Sequence, residues 1–127
     1  MGYTRYWQRT DKKIDEGFIT AVCKIIADCD KKGIKIRNGQ GKGNPIVTLD
    51  IIAINGDAEH GLDHETCYFD NEKSDFEFCK TARKPYDYAV RKILTYARKN
   101  GFVTKVSNDG ANNEIISDED YIKKWGR

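Results

Sequence analysis

The hydrophobic positions change period along the chain, and each change marks a class of element. Tyr3 and Trp7 fall on one side of an extended Tyr3 to Gln8 and Tyr6 on the other, the two-residue alternation of a strand. From Asp15 the spacing becomes helical, with Phe18, Val22, Ile25, Ile26 and Cys29 recurring on one face. Asp15 is placed to accept from the free N–H groups at the start of that helix, Ile14 and Ile19 to staple it, and Gly33 to end it. The middle of the chain is β in character: Ile34 to Arg37, Val47 to Ile54, Thr66 to Phe69 and Phe76 to Cys79. Glycine- and asparagine-rich loops of hairpin type, Asn38 to Pro45 and Asn55 to Asp57, separate strands that should run antiparallel. A second helix follows Pro85, with Tyr86, Val90, Ile93, Leu94 and Ala97 on one face and Gly101 past its end; a strand, Phe102 to Val106, comes next. Ser117 can cap a last short helix, Asp118 to Trp125, with Ile116 and Tyr121 as its staple.

This order predicts an α+β fold: an antiparallel sheet with two long helices packed on one face and a short C-terminal helix. At 127 residues the chain is the length of one domain, 1–127, with room for a single modest core. Twenty-two Lys and Arg against 20 Asp and Glu leave a formal charge of +2, too little to draw the whole molecule onto nucleic acid or an anionic membrane. Any basic site must be local. MGYTRYWQRTDKK has no apolar core of signal-peptide length, and no apolar run spans a bilayer, so a cytoplasmic location is expected. Cys23, Cys29, Cys67 and Cys79 lack the spacing of a zinc site, and reduced thiols are expected.

The densest candidate chemistry lies in FCKTARKPYD, Phe78 to Asp87. Proline favours the first helical position, which puts Lys84 at the N-cap and the free N–H groups of Tyr86 and Asp87 at the positive end of the helix dipole. With Lys80, Thr81, Arg83 and Lys84 alongside, such an end suits a phosphate or pyrophosphate. The same residues also suit a solvated connection in which Asp87 pairs with Arg83. Physics alone leaves both readings open.

GYTRYW, HETCYF, FCKTARKPYD and SNDG together resemble a family of small, mostly uncharacterised proteins encoded by phages and bacteria, in order along nearly the whole chain. The family's opening commonly reads G-Y-T-H-Y-W. Arg5 stands at the histidine position here, which weakens histidine chemistry at that point and suits an anion better. The resemblance implies, by analogy with its setting, a phage protein that counters host defence in the host cytoplasm by sequestering a nucleotide signal.

Other groups have plainer roles beside their chemical ones. His60 and His64, four apart among Asp57, Glu59, Asp63 and Glu65, have metal-ligand character, but Gly61 and the polar run favour an ordinary acidic loop. His64 and Thr66 make a lone H-x-T without the second one that two-histidine phosphodiesterases need. GQGKGNP does not match a P-loop, because Gly43 follows Lys42, and reads as a mobile loop. Cys79 beside Lys80 reads as a buried strand residue rather than a nucleophile. Tyr3, Tyr6 and Trp7 can stack on a base, although alternating aromatics in a first strand usually face a core.

The leading expectation is a binding protein for an ADP-ribose-derived or cyclic nucleotide, with Lys80, Thr81, Arg83, Lys84, Tyr86, Asp87, Tyr3, Arg5, Tyr6 and Trp7 around the ligand. No catalytic residue, cofactor or metal is assigned. Nucleic acid and membrane are not expected partners, and a homo-oligomer is allowed. The alternatives are a phosphodiesterase or nucleotide hydrolase using His64 as general acid or base, and a protein–protein inhibitor.

Overall fold

The computed structural model describes residues 3–110. Strand β1 (Thr4–Arg9) is followed by helix α1 (Glu16–Lys31), the short strands β2 (Ile46–Val47), β3 (Ile52–Ile54) and β4 (Cys67–Phe69), strand β5 (Ser74–Lys80), helix α2 (Asp87–Lys99) and strand β6 (Val103–Asn108). The fold is α+β. The strands form two antiparallel three-stranded sheets, ordered β5-β1-β6 and β2-β3-β4. The expected last helix, Asp118 to Trp125, and its Ser117 cap lie outside the described residues.

Both helices end as their sequences foretell. The Asp15 carboxylate accepts from the Phe18 N–H at 2.9 Å, and Ile14 is buried against the core with Ile19 packed partly upon it. Gly33 (φ 79°) and Gly101 (φ 81°) adopt the left-handed conformation past each C-terminus. Ile34 N–H then donates to Cys29 C=O at 2.8 Å and Phe102 N–H to Ala97 C=O at 2.9 Å, the Schellman pattern. The helices face each other with Phe18, Val22, Val90, Ile93, Leu94 and Ala97 buried between them and the sheets. Phe18 stacks against Phe102 with centroids 4.5 Å apart, and Trp7, on the inner face of β1, meets Phe69 of the second sheet at 5.3 Å.

Two expected strands differ. Ile34 to Arg37 forms no ladder, only a bridge from Arg37 to Asn55. Val47 to Ile54 is a hairpin rather than one strand: the Thr48 hydroxyl accepts from the N–H groups of Asp50 (3.2 Å) and Ile51 (3.0 Å), turning the chain inside a β-branched run. Among the described residues no helix is long and apolar enough to cross a membrane.

Candidate functional site

The FCKTARKPYD motif folds around an anion of its own. Asp87, at the start of α2, is buried, and Arg5 reaches it from β1 in a two-point clasp, Nε to Oδ1 at 2.7 Å and Nη2 to Oδ2 at 2.9 Å. The Thr81 hydroxyl donates to the same Oδ1 at 2.7 Å. Thr81 to Lys84 is a tight turn closed by Lys84 N–H to Thr81 C=O at 3.0 Å, and both central residues, Ala82 (φ 53°) and Arg83 (φ 56°), are left-handed. Positive φ at both centres defines a type I′ turn, which ordinarily uses asparagine and glycine. The Arg83 guanidinium lies over the Tyr3 ring, 4.1 Å from its centroid, and Arg5 lies 5.3 Å from it.

This arrangement corrects the helix-end phosphate site. The helix starts at Asp87 with Tyr86 as N-cap, not Lys84, and the Asp87 N–H donates to Lys84 C=O at 2.9 Å. Burial leaves Trp7, Thr81 and Asp87 no surface for a ligand, Tyr3 and Arg5 are almost as enclosed, and Tyr86 shows only in the wall of a small cleft that it shares with Gly56 and Pro85. The anion that Arg5 suits is internal, and Asp87 pairs with Arg5 rather than Arg83. Lys80 remains exposed at the end of β5, Tyr6 is half-buried, and the Lys84 ammonium donates to Gly61 C=O at 3.1 Å.

That last contact leads to a second constellation, the loop from Asn55 to His64. Asn55 is buried and holds the loop shut: its amide donates to the carbonyls of Gly39 and His64, both at 3.0 Å, and its side-chain oxygen accepts from the N–H groups of Gly56 (2.7 Å) and His64 (3.0 Å). Gly56 is obligatory, because a Cβ there would stand 2.0 Å from Leu62 C=O. The glycine loop packs on this turn, with Ala58 N–H donating to Gly41 C=O at 2.9 Å and Thr66 Oγ1 to Gly39 C=O at 2.7 Å. It is pinned along one side rather than free on both.

At the centre sits Asp57, its side chain 4% exposed, with Oδ2 2.7 Å from His60 Nδ1 and Oδ1 3.6 Å from Arg37 Nε. The His60 hydrogen bond, ahead of any other cause, holds the Asp57 carboxyl below the ordinary carboxylate range. An ionised carboxylate only accepts, so His60 Nδ1 donates to it. Two clefts flank the pair. One, ≈ 190 Å³, is lined by Gly33, Lys35, Gly56, His60 and Pro85; the other, ≈ 540 Å³, by Arg37, Gly41, Lys42, Ala58 and Glu59; Asp57 borders both.

Potential ligand atoms of Asp57, Glu59 and His60 lie within 4.8 Å of one another, close enough to share a cation. Arg37 beside Asp57 opposes one. His64, the histidine expected to act in acid–base chemistry, is exposed and serves Asn55 through its backbone; His60 is the one oriented by a carboxylate. The sequence signal for this pair is the three-residue spacing in DAEH, Asp57 to His60, which places both on one turn.

The Cys67 and Cys79 thiols lie against each other in the core. All four cysteines are free thiols; Cys29, Cys67 and Cys79 are buried, and burial pushes Cys29 up to about 12. Compared with protein-family models, curated proteins and solved structures, the chain matches none, so its functional reading rests on the residues themselves.

Proposed function

We propose that the protein binds and sequesters a phosphate-bearing, nucleotide-derived ligand in the paired clefts on either side of Asp57. The observation that carries this reading is the convergence of Lys35, Arg37 and Lys42 on two adjoining clefts, with Lys84 beside Pro85 at the rim of the smaller one. The larger cleft falls within the volume range of small-molecule sites. A host nucleotide signal is the cargo proposed, by the same analogy that the sequence motifs suggested. Titration calorimetry with ADP-ribose derivatives and cyclic dinucleotides tests the proposal, followed by heat release and mass spectrometry. Intact ligand should be returned, and Arg37→Ala with Lys42→Ala should abolish uptake. Binding that ignores both substitutions refutes the location, and recovery of converted product refutes sequestration.

The Asp57–His60 pair favours a second reading, hydrolysis of the same class of ligand with His60 as general base toward a water. His60→Ala would then stop turnover while leaving binding in place. A parent protein that returns every compound unchanged removes this reading.

A further inference from the structure

The two sheets meet at a seam that neither cleft uses. Strands β4 and β5 are edge strands of different sheets, and among the described residues no ladder joins them. Glu65 spans the gap instead: its N–H donates to Lys80 C=O at 3.1 Å, and its carboxylate accepts from the Lys80 N–H at 3.0 Å. Behind these bonds lie Cys67 of β4 and Cys79 of β5, both buried, with their thiols hydrogen-bonded to each other. The Cys79 thiol also donates to Glu65 C=O at 3.5 Å. The other two cysteines, exposed Cys23 and buried Cys29, are both on α1.

We propose that Cys67 and Cys79 are a modification site for hydrogen peroxide, which joins them in a reversible disulfide that ties one sheet to the other. In the closed fold the pair reacts slowly. The bond from Cys79, and then burial, hold the Cys67 thiol well above its ordinary range, and the thiolate is the nucleophile. Reaction therefore waits on local opening, and edge strands joined by few backbone bonds open well below the cost of global unfolding. Peroxide is small and neutral enough to enter there. One thiol gives up its proton and attacks a peroxide oxygen; the O–O bond breaks, the sulfur becomes a sulfenic acid, and the departing hydroxide takes the proton as water. The second thiol attacks that sulfur, the S–O bond breaks, and a second water leaves with its proton. Two electrons pass from sulfur to peroxide, so two thiols and one peroxide become one disulfide and two waters. A partner sulfur already in contact captures the sulfenic acid before further oxidation. The bridge closes the loop from Cys67 to Cys79, and a loop of that length raises the folded-to-unfolded ratio roughly a hundred-fold, or Tm by about 10 °C.

The test treats the folded parent with hydrogen peroxide, without denaturant, until the exposed Cys23 is fully oxidised. Catalase then removes the peroxide, and the chain is unfolded, alkylated with iodoacetamide and mapped by mass spectrometry. The Cys67 and Cys79 peptides should be recovered joined through sulfur, with Cys29 alkylated. Tm, read before unfolding, should rise by about 10 °C and return on addition of dithiothreitol. Cys79→Ala should show neither the joined peptides nor the rise, and Cys23→Ala should show both. Alkylated Cys67 and Cys79 after full oxidation of Cys23 overturn the proposal. So do separate sulfinic acids on the two sulfurs, or a bridge that leaves Tm unchanged or lowers it. Should Cys79→Ala fail to fold, the peptide map and Tm of the parent still decide. Ligand uptake at the Arg37 and Lys42 clefts has no bearing on this result.

Discussion

Removing Asp87 should be the most damaging single change in the motif. Its carboxylate and Arg5 are 2% and 8% exposed, so Asp87→Ala takes a buried acceptor away from both the Arg5 guanidinium and the Thr81 hydroxyl. Breaking one side of a buried pair costs about 3–5 kcal/mol, against under ~1 kcal/mol for an exposed one. For a 127-residue chain the entropy of unfolding is roughly 0.27 kcal/mol/K, so the loss corresponds to a fall in Tm of about 11–19 °C. Arg5→Met with Asp87→Leu should be far less harmful than Asp87→Ala, since apolar replacement of a whole buried pair is often neutral. Urea titration followed by circular dichroism on the parent, both single variants and the double variant gives the coupling directly. A loss below ~1 kcal/mol for Asp87→Ala, or a double variant as unstable as the two singles added together, would refute the claim that the motif is organised around this internal anion.

Asp15→Ala should cost about 1 kcal/mol in the same titration, the worth of one N-cap. Ala82→Gly should raise stability by about 0.5–1 kcal/mol, because the left-handed penalty of ~1–2 kcal/mol outweighs the added flexibility of glycine; a loss would show that Ala82 is not strained. Folding depresses the Asp57 carboxyl, so its contribution is present above the unfolded value near pH ~3.9 and is lost as pH falls through the lower folded value. Asp57→Asn should therefore flatten the decline of stability below about pH 4, read from urea midpoints across the acid range.

What was legible in the sequence was local. Asp15, Gly33 and the Phe18 to Cys29 stripe specify α1 within a few turns, and Gly101 and the Val90 to Ala97 face do the same for α2. The turn at Thr48 was hidden because a hydroxyl hydrogen-bonding to its own backbone leaves no trace in a run of Val, Leu and Ile. FCKTARKPYD displayed its cations but not its anion's partner: Arg5 and Asp87 are 82 residues apart in the chain, and only the closing of the sheet brings them together. Asp57 and His60 are neighbours in sequence, yet nothing there shows that the carboxylate is buried or that Arg37, 20 residues away, stands beside it. Two exposed rings escaped for another reason. Phe76 and Phe78 alternate along β5 as strand residues do, and alternation alone does not tell which side of a strand is covered.

The placement of β1 in the middle of its sheet has a consequence for the order in which the protein matures. Arg5 pairs with Cys79 on one side and Asn108 on the other, so β1 leaves the ribosome well before either of its neighbours. At about 5–20 residues per second, roughly 5–20 s of synthesis separate β1 from β6. A segment carrying Tyr6 and Trp7 has two open edges until β5 emerges and one until β6 does, while α1 can already form from neighbouring residues. A nascent chain stalled before Val103 would therefore be adhesive, and a chaperone that shields short aromatic strands would raise the yield of folded protein more than one that acts after release.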